Sequence, residues 1–486
     1  MRPDNQPQLK LDWYSSPMRR LAAFIFVLIP TLLVAQIYNH VDPAMTIRAP
    51  GVGSDSEAGI GALIPWAGKL WSVGYVAHIR GDGLGLYMVD EQMKWTRRPE
   101  SVTGTYANRY IHWPSKQAFI GPYAISEKGE VRTITDLVKH RLTATAAHLT
   151  DTNKVLFLTM EGLLFEVDVK TLKATQLFDL TKELDWAQGA YLHFKGMHTG
   201  QGRVIVANNT FEEPEMLGTR FAGRLAEWDG KSAWKILERN PFVEVSGNQR
   251  SAASDYYGAP IYALGWDRAS VILRVLHKGN WTRYRLPYGS QSWSHTWNTE
   301  WMRIRFAQTE RHLMDAFGLF YDLPNLVNDG KIFGIQPISR HLRVTPDFCH
   351  YNGYFVMGSD QTDHTVGQPQ SGLWWGNIDD LWSFGKPQGW GAVWQDQTVK
   401  SGEISDPFLM TGFDKKSVCV ICDPKDSASV DLEVDVLGNG QWRKITNLNT
   451  TDGFATYQFP SGFAAHWIRA KSNRTTKGLS VAFAYL

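Results

Sequence analysis

His193, Lys195 and His198 stand close together among glycines in the stretch HFKGMHTGQG. Imidazole suits the taking and returning of a proton near neutral pH. A guanidinium nearby can hold an anionic group and stabilise negative charge that develops beside it. The stretch leads into RVIVAN, short, apolar and β-branched, then an acidic loop ending in Arg220 and Arg224, then LAEWDG running into an Asp-Gly turn. This order predicts strand, strand, loop, strand and tight turn, with reactive side chains on the first strand.

The same scheme recurs along the chain at a spacing of about 35–55 residues, the range of propeller blades. From Ala58 onward seven such units are legible, and GLLFEVD, GRLAEWD and GLWWGNID echo one another as third strands ending in an acid before a turn. The expected fold is all-β: a seven-bladed β-propeller over residues 58–415 with a small antiparallel β-subdomain over 416–486. An apolar segment, SDPFLMTGF (405–413), is expected to close the ring by pairing with the first unit, because closure removes exposed strand edges.

In a propeller the first strand of each blade lines a central channel, where polar groups are costly unless satisfied or used. On those strands the sequence places Asn108, Arg109 and His112, then His148, His193 and His198, Glu244, then Glu300, Arg303 and Arg305, and His341. One histidine on such a strand is more often a hydrogen-bonded core residue than a catalyst. Several on one axis make a functional site an equal reading. A second group is His295 in HTWNTEW with His341, Cys349 and His350 in HLRVTPDFCH. Imidazoles with one thiolate match a tetrahedral zinc site, which with four protein ligands would be structural. The bland reading is that Cys349 is a core residue and the histidines cap turns. Cys419 and Cys422 in SVCVICD fall on opposite faces of a strand and read as core.

ANRYIHWPSKQAFIGPYAI, KGMHTGQGRVIVANN, GRLAEWDG, TEWMRIR, HLRVTPDFCHYNG, GQPQSGLWWGNIDDLW and SDPFLMTGFDKK together resemble a group of seven-bladed propeller enzymes. That group contains ulvan lyases, L-rhamnose-α-1,4-D-glucuronate lyases and exo-α-L-rhamnosidases. The resemblance implies β-elimination at a uronate, with an arginine neutralising the carboxylate and a histidine or tyrosine moving the proton. It makes His112 and His148 the channel histidines. His198 in KGMHTGQG stands where the group has a tyrosine in a KGGYTSQG-like segment. Arg220 is the nearest match to the carboxylate arginine, with Arg224 in reserve and Arg303 able to serve. Asn108, Arg109 and His193 join them as substrate-binding residues. His295, His341, Cys349 and His350 map onto the group's zinc-type cluster, implying a structural Zn2+. The rhamnosidase branch uses a histidine early in the first blade, and residues 41–77 contain none. A hydrolase of rhamnose linkages and a non-catalytic glycan-binding propeller are the competing functions.

Hydrophobic residues make up 43% of the 486, enough for a large core. A net charge of +2 offers no argument for nucleic acid or an anionic membrane; the polysaccharide or oligosaccharide partner is what the resemblance implies. The 20 Trp fit core packing or sugar stacking, and core is the commoner fate. Three cysteines exclude a disulfide framework. Residues 1–40 hold a basic segment followed by the apolar run Leu21–Ala35, read as a secretory signal or an uncleaved membrane anchor, which predicts export; residues 41–57 read as a linker.

Overall fold

The structure, a computed structural model, describes residues 40–41, 58–76, 85–186, 192–210, 222–247, 259–289, 301–308, 311–324, 332, 334–341, 343–358 and 373–486. His40–Leu486 forms one compact unit. The apolar run of residues 21–35 lies outside the described residues, and among those described no helix is long and apolar enough to cross a membrane.

From Ala58 to Gly376 the strands form groups of three or four antiparallel neighbours that follow the chain, and one such group is extended by strands of the C-terminal part. Their first strands are Ala58–Trp66, Arg109–His112, Leu142–Ala147, Phe194–Gly200, Phe242–Ser246, Arg303–Gln308 and Phe348–Tyr351. Each first strand touches the next, and the last returns to the first. A closed ring of such sheets is a β-propeller, and its described first strands follow the order of the units read from the sequence. The cores lie between neighbouring blades. Trp71, Trp266 and Trp374 are fully buried there, as the core reading of tryptophan expects.

The echo at the third strands has a common cause. Asp168 Oδ1 accepts the backbone N–H groups of Lys170 (2.9 Å) and Thr171 (2.7 Å). Asp229 Oδ1 accepts those of Lys231 (2.9 Å) and Ser232 (2.7 Å). Each carboxylate satisfies the turn into the fourth strand. In the seventh blade Asn377 and Asp380 form a capping box on the turn Ile378–Ser383 instead.

Ring closure differs from the expectation. The outer strand of the seventh blade comes from the chain's N-terminal side: His40 pairs with Trp375 and Val41 with Trp374. Residue 41 is thus in a strand, not a linker. The 405–413 segment contributes Phe408–Leu409, which pairs in parallel with blade five at Arg285 and antiparallel with Trp467–Ser472. Its side chains explain this. Leu409 belongs to the core beside blades five and six, whereas Phe408 and Met410 belong to the C-terminal core, so the segment is buried on both faces and cannot serve as a blade edge.

The C-terminal part is a β-sandwich that starts at Gly389, earlier than residue 416. One sheet holds Gly389–Val399, Thr476–Tyr485, Lys416–Ile421 and Phe454–Gln458; the other continues blade five through Phe408–Leu409, Trp467–Ser472, Ser429–Asp435 and Trp442–Asn449. Arg285 locks the seam, donating to Asp267 Oδ2 (2.8 Å) and Asp406 Oδ2 (3.0 Å). Cys419 and Cys422 are free thiols on or beside Lys416–Ile421 and make separate contacts, to Thr456 and Thr450.

Gly196 shows how closely blades four and five approach. A Cβ at this position would meet Val243 O at 2.8 Å and Val245 N at 3.0 Å. Backbone cannot yield as a side chain can, so Gly196→Ala is expected to cost about 1–3 kcal/mol. An unfolding midpoint equal to wild type would show that the blades can separate freely here.

Candidate functional site

First strands expose alternate residues to the channel. Near their N-terminal ends, Arg109, Thr143, Thr145, Lys195, Glu244, Arg303 and Arg305 converge on one cavity of about 30 Å³. That volume holds a water or two, or one small planar anion such as a carboxylate group. Of the charged groups on its wall, four are cations and one, Glu244, is an anion.

Asp347, fully buried beside the cavity, organises the cations. Its Oδ1 accepts from Arg305 Nε (2.7 Å) and Phe348 N (3.0 Å). Its Oδ2 accepts from Leu63 N (2.7 Å) and lies 3.1 Å from Arg109 Nε. Arg109 Nη1 donates to Leu63 O (2.6 Å). Arg305 Nη1 donates to Glu244 Oε1 (3.0 Å). Arg303 is held mainly by backbone: Nε donates to Pro346 O (2.8 Å) and Nη1 to Met302 O (2.9 Å), with Glu244 Oε2 at 3.7 Å. Among the described residues, no Nη2 of these three guanidiniums has a hydrogen-bond partner.

Burial and charge pull these groups in opposite directions. Burial would raise the Asp347 pKa, but Arg109 and Arg305 outweigh it and hold the carboxyl below its usual range. For Glu244 burial prevails over Arg305 and Arg303, and its pKa is raised. Burial draws Arg303 down to about 10. Burial acts the same way on Arg305, yet Asp347 and Glu244 keep it above its ordinary value. Trp301 lies against two of the cations: its ring centroid is 4.8 Å from the Arg303 guanidinium and 5.4 Å from Lys195 Nζ, which is also 5.7 Å from the Tyr75 ring. The Trp301 face offsets part of the cost of withdrawing the Arg303 guanidinium from water.

Arg109 and Arg303, expected from the sequence, are both on the cavity wall. The histidines are not. His112 caps the turn Trp113–Ser115, with Nδ1 2.7 Å from Ser115 Oγ. His148 Nδ1 accepts from Asp151 N (2.9 Å), and its Nε2 is 3.4 Å from Glu166 Oε2. Asn108 ties blade two to blade three, donating to Gly121 O (3.0 Å) and Thr145 Oγ1 (2.8 Å). His193 is buried at the start of the fourth blade, its N–H donating to Thr210 Oγ1 (3.0 Å). Arg224 Nη1 donates to Ala222 O and Gly223 O, and its guanidinium lies 5.1 Å from the Trp186 ring. Arg220, His295 and Glu300 lie outside the described residues.

His198 is buried beside Gly247, where an added Cβ would stand 2.5 Å from its Nε2. Met197, its neighbour, faces the cavity. His198 is pushed down to about 4 by burial; His312 is pushed to about 4 by burial first, then by His198 and Arg305. Both are neutral in the fold. Between the ordinary histidine value of about 6.5 and pH 4, the unfolded chain binds protons that the folded chain refuses, so stability falls as pH falls through that window. The unfolding midpoint is expected to drop from pH 7 to pH 4.5, with a shallower drop in His198→Gln; an equal drop in the variant would remove His198 as a cause.

The metal-type group does not assemble among the described residues. His341 Nε2 is 3.1 Å from Asp315 Oδ1 and its ring stacks on Phe320. Cys349 packs with Ile60, Leu63 and Val356, and burial pushes its thiol up to about 12. His350 follows it on the same strand and so points to the other face. Among the described residues no group of three or more His, Cys, Asp or Glu side chains is placed to hold an ion. His341, Cys349 and His350 thus do not converge on one point, and His295 lies outside the described residues.

Asp347 was missed by the sequence reading, although an aspartate entering an otherwise apolar inner strand, TPDFC, was a usable signal. Lys195 was noticed only as part of a polar cluster.

No family model matches the chain, and no curated protein matches it in sequence. Solved structures do resemble it in fold. The β-propeller domain of Cps50 (Swd1) from Myceliophteria thermophila is 10% identical, with 69% of this chain and 99% of that one covered, at a TM-score of 0.38. The WD40 repeats of RRP9 are likewise 10% identical, with 70% and 99% covered, at a TM-score of 0.38.

Proposed function

We propose that the protein is a polysaccharide lyase that cleaves rhamnose–uronate linkages by β-elimination and seats the uronate carboxylate in the axial cavity. The observation that carries this reading is the trio Arg109, Arg303 and Arg305, which line one cavity of carboxylate size and whose Nη2 groups have no hydrogen-bond partner among the described residues. Guanidinium forks match a carboxylate in shape and charge. Neutralising that carboxylate is what the chemistry requires. A proton on the adjacent carbon is too weakly acidic at neutral pH, and a cation against the carboxylate stabilises the enolate-like charge left when it departs. The resemblance of KGMHTGQG, TEWMRIR and HLRVTPDFCHYNG to the ulvan-lyase group supplies the reaction class. A polymeric substrate also accords with the export read from residues 1–40.

The test is the ultraviolet absorbance of unsaturated uronate, followed with the purified full chain on ulvan and on rhamnose-capped arabinogalactan. A rise on either supports the lyase. Free rhamnose without a rise replaces it with the hydrolase, and saturable glycan binding without either product replaces it with the binding propeller.

A further inference from the structure

We infer that Lys195 is the catalytic base of this site, taking the proton from the uronate carbon beside the bound carboxylate; the inference rests on the lyase reading. Among the described residues the cavity wall limits the choice. Arg109, Arg303 and Arg305 cannot give up their protons in a protein. Glu244 has one oxygen committed to Arg305 at 3.0 Å and the other facing Arg303 at 3.7 Å, so its charge holds the carboxylate-binding arginines in place. His198 does not line the cavity. Lys195 lines the same cavity as the three arginines, and its ammonium lies near the Tyr75 and Trp301 rings, which pack edge to face at 4.8 Å. Unlike a guanidinium, a lysine amine can serve as a general base once neutral.

The step balances without a co-reactant. Neutral Lys195 Nζ takes the proton from uronate C5. The C5–H electron pair becomes the C4–C5 double bond, and the C4–O4 bond breaks with its pair on O4. O4 then takes the proton from the Lys195 ammonium, which returns the amine to its starting state and releases an unsaturated uronate and a free hydroxyl end.

Lys195→Arg keeps the positive charge but cannot act as a base. In the full chain it is expected to lower the rate of unsaturated-product formation by about 10³-fold, within the range for loss of a general base. Binding of ulvan oligosaccharides, read by calorimetry, should change by less than about tenfold, because the carboxylate forks remain. Lys195→Ala should regain product formation when methylamine is added, which a merely structural lysine would not allow. Wild-type activity retained in Lys195→Arg, or failure of methylamine to restore Lys195→Ala, overturns the base assignment and leaves the lyase reading standing. Absence of unsaturated product from the wild type overturns both.

Discussion

Asp347→Asn is expected to destabilise the propeller by about 3–5 kcal/mol, the cost of leaving buried charges without their partner. The substitution is nearly isosteric, so the effect is electrostatic and not a matter of packing. Asp347 is fully buried and meets Arg305 Nε at 2.7 Å, Arg109 Nε at 3.1 Å and the Leu63 N–H at 2.7 Å. These partners come from blades six, two and one, so the carboxylate clamps separate parts of the ring. An amide would turn donors toward donors, take from Arg109 the carboxylate it pairs with and leave Arg305 only Glu244. The wild type should show the matching pH dependence. The folded carboxyl is held below its unfolded value of about 3.9, so its contribution is complete above that value and is lost as pH falls through the folded one. Chemical denaturation of both proteins at pH 7 is the measurement. Superimposable curves would mean that Asp347 does not carry the ring's charge balance.

Arg303→Ala is expected to lower the rate of elimination by about 10²–10³-fold, the usual loss when one preorganised donor to developing negative charge is removed. Arg303 is the best choice because its fixed partners are the carbonyls of Pro346 and Met302, while Asp347 keeps both of its own arginines. The unfolding midpoint of Arg303→Ala should therefore move much less than that of Asp347→Asn. Arg303→Lys should remain impaired, since an ammonium offers a point charge where the cavity uses a planar fork. A variant with wild-type product formation would remove Arg303 from the site. Glu244 adds a control: its raised pKa follows from burial, which Arg305 and Arg303 only partly offset. Protonating it would weaken its hold on Arg305, so acid should disturb the cavity before it disturbs the outer strands.

Among the candidate residues, the arginines of blades two and six and the histidines fared differently for a physical reason. Arg109, Arg303 and Arg305 could be placed on the channel from strand alternation alone, because a long cation on an inner strand has few other places to satisfy its charge. Histidine has such places. His112 and His148 sit where inner strands end, and there a ring nitrogen accepts turn N–H groups: Ser115 N at 3.3 Å and Asp151 N at 2.9 Å. His198 is off the wall by alternation: Lys195 and Met197 face the cavity, so residue 198 falls on the other face of the strand.

The periodic apolar strands, the acids that close their turns and the spacing of the units determined the propeller in the sequence itself, because those are local properties repeated in each blade. The closing strand at His40–Val41, the fusion of Phe408–Leu409 to blade five and the gathering of Arg109, Lys195, Arg303 and Arg305 around Asp347 were decided only by the tertiary structure. Each depends on contacts between segments far apart in the chain, and no local pattern of apolar and polar residues encodes which distant partner a strand or a buried charge will meet.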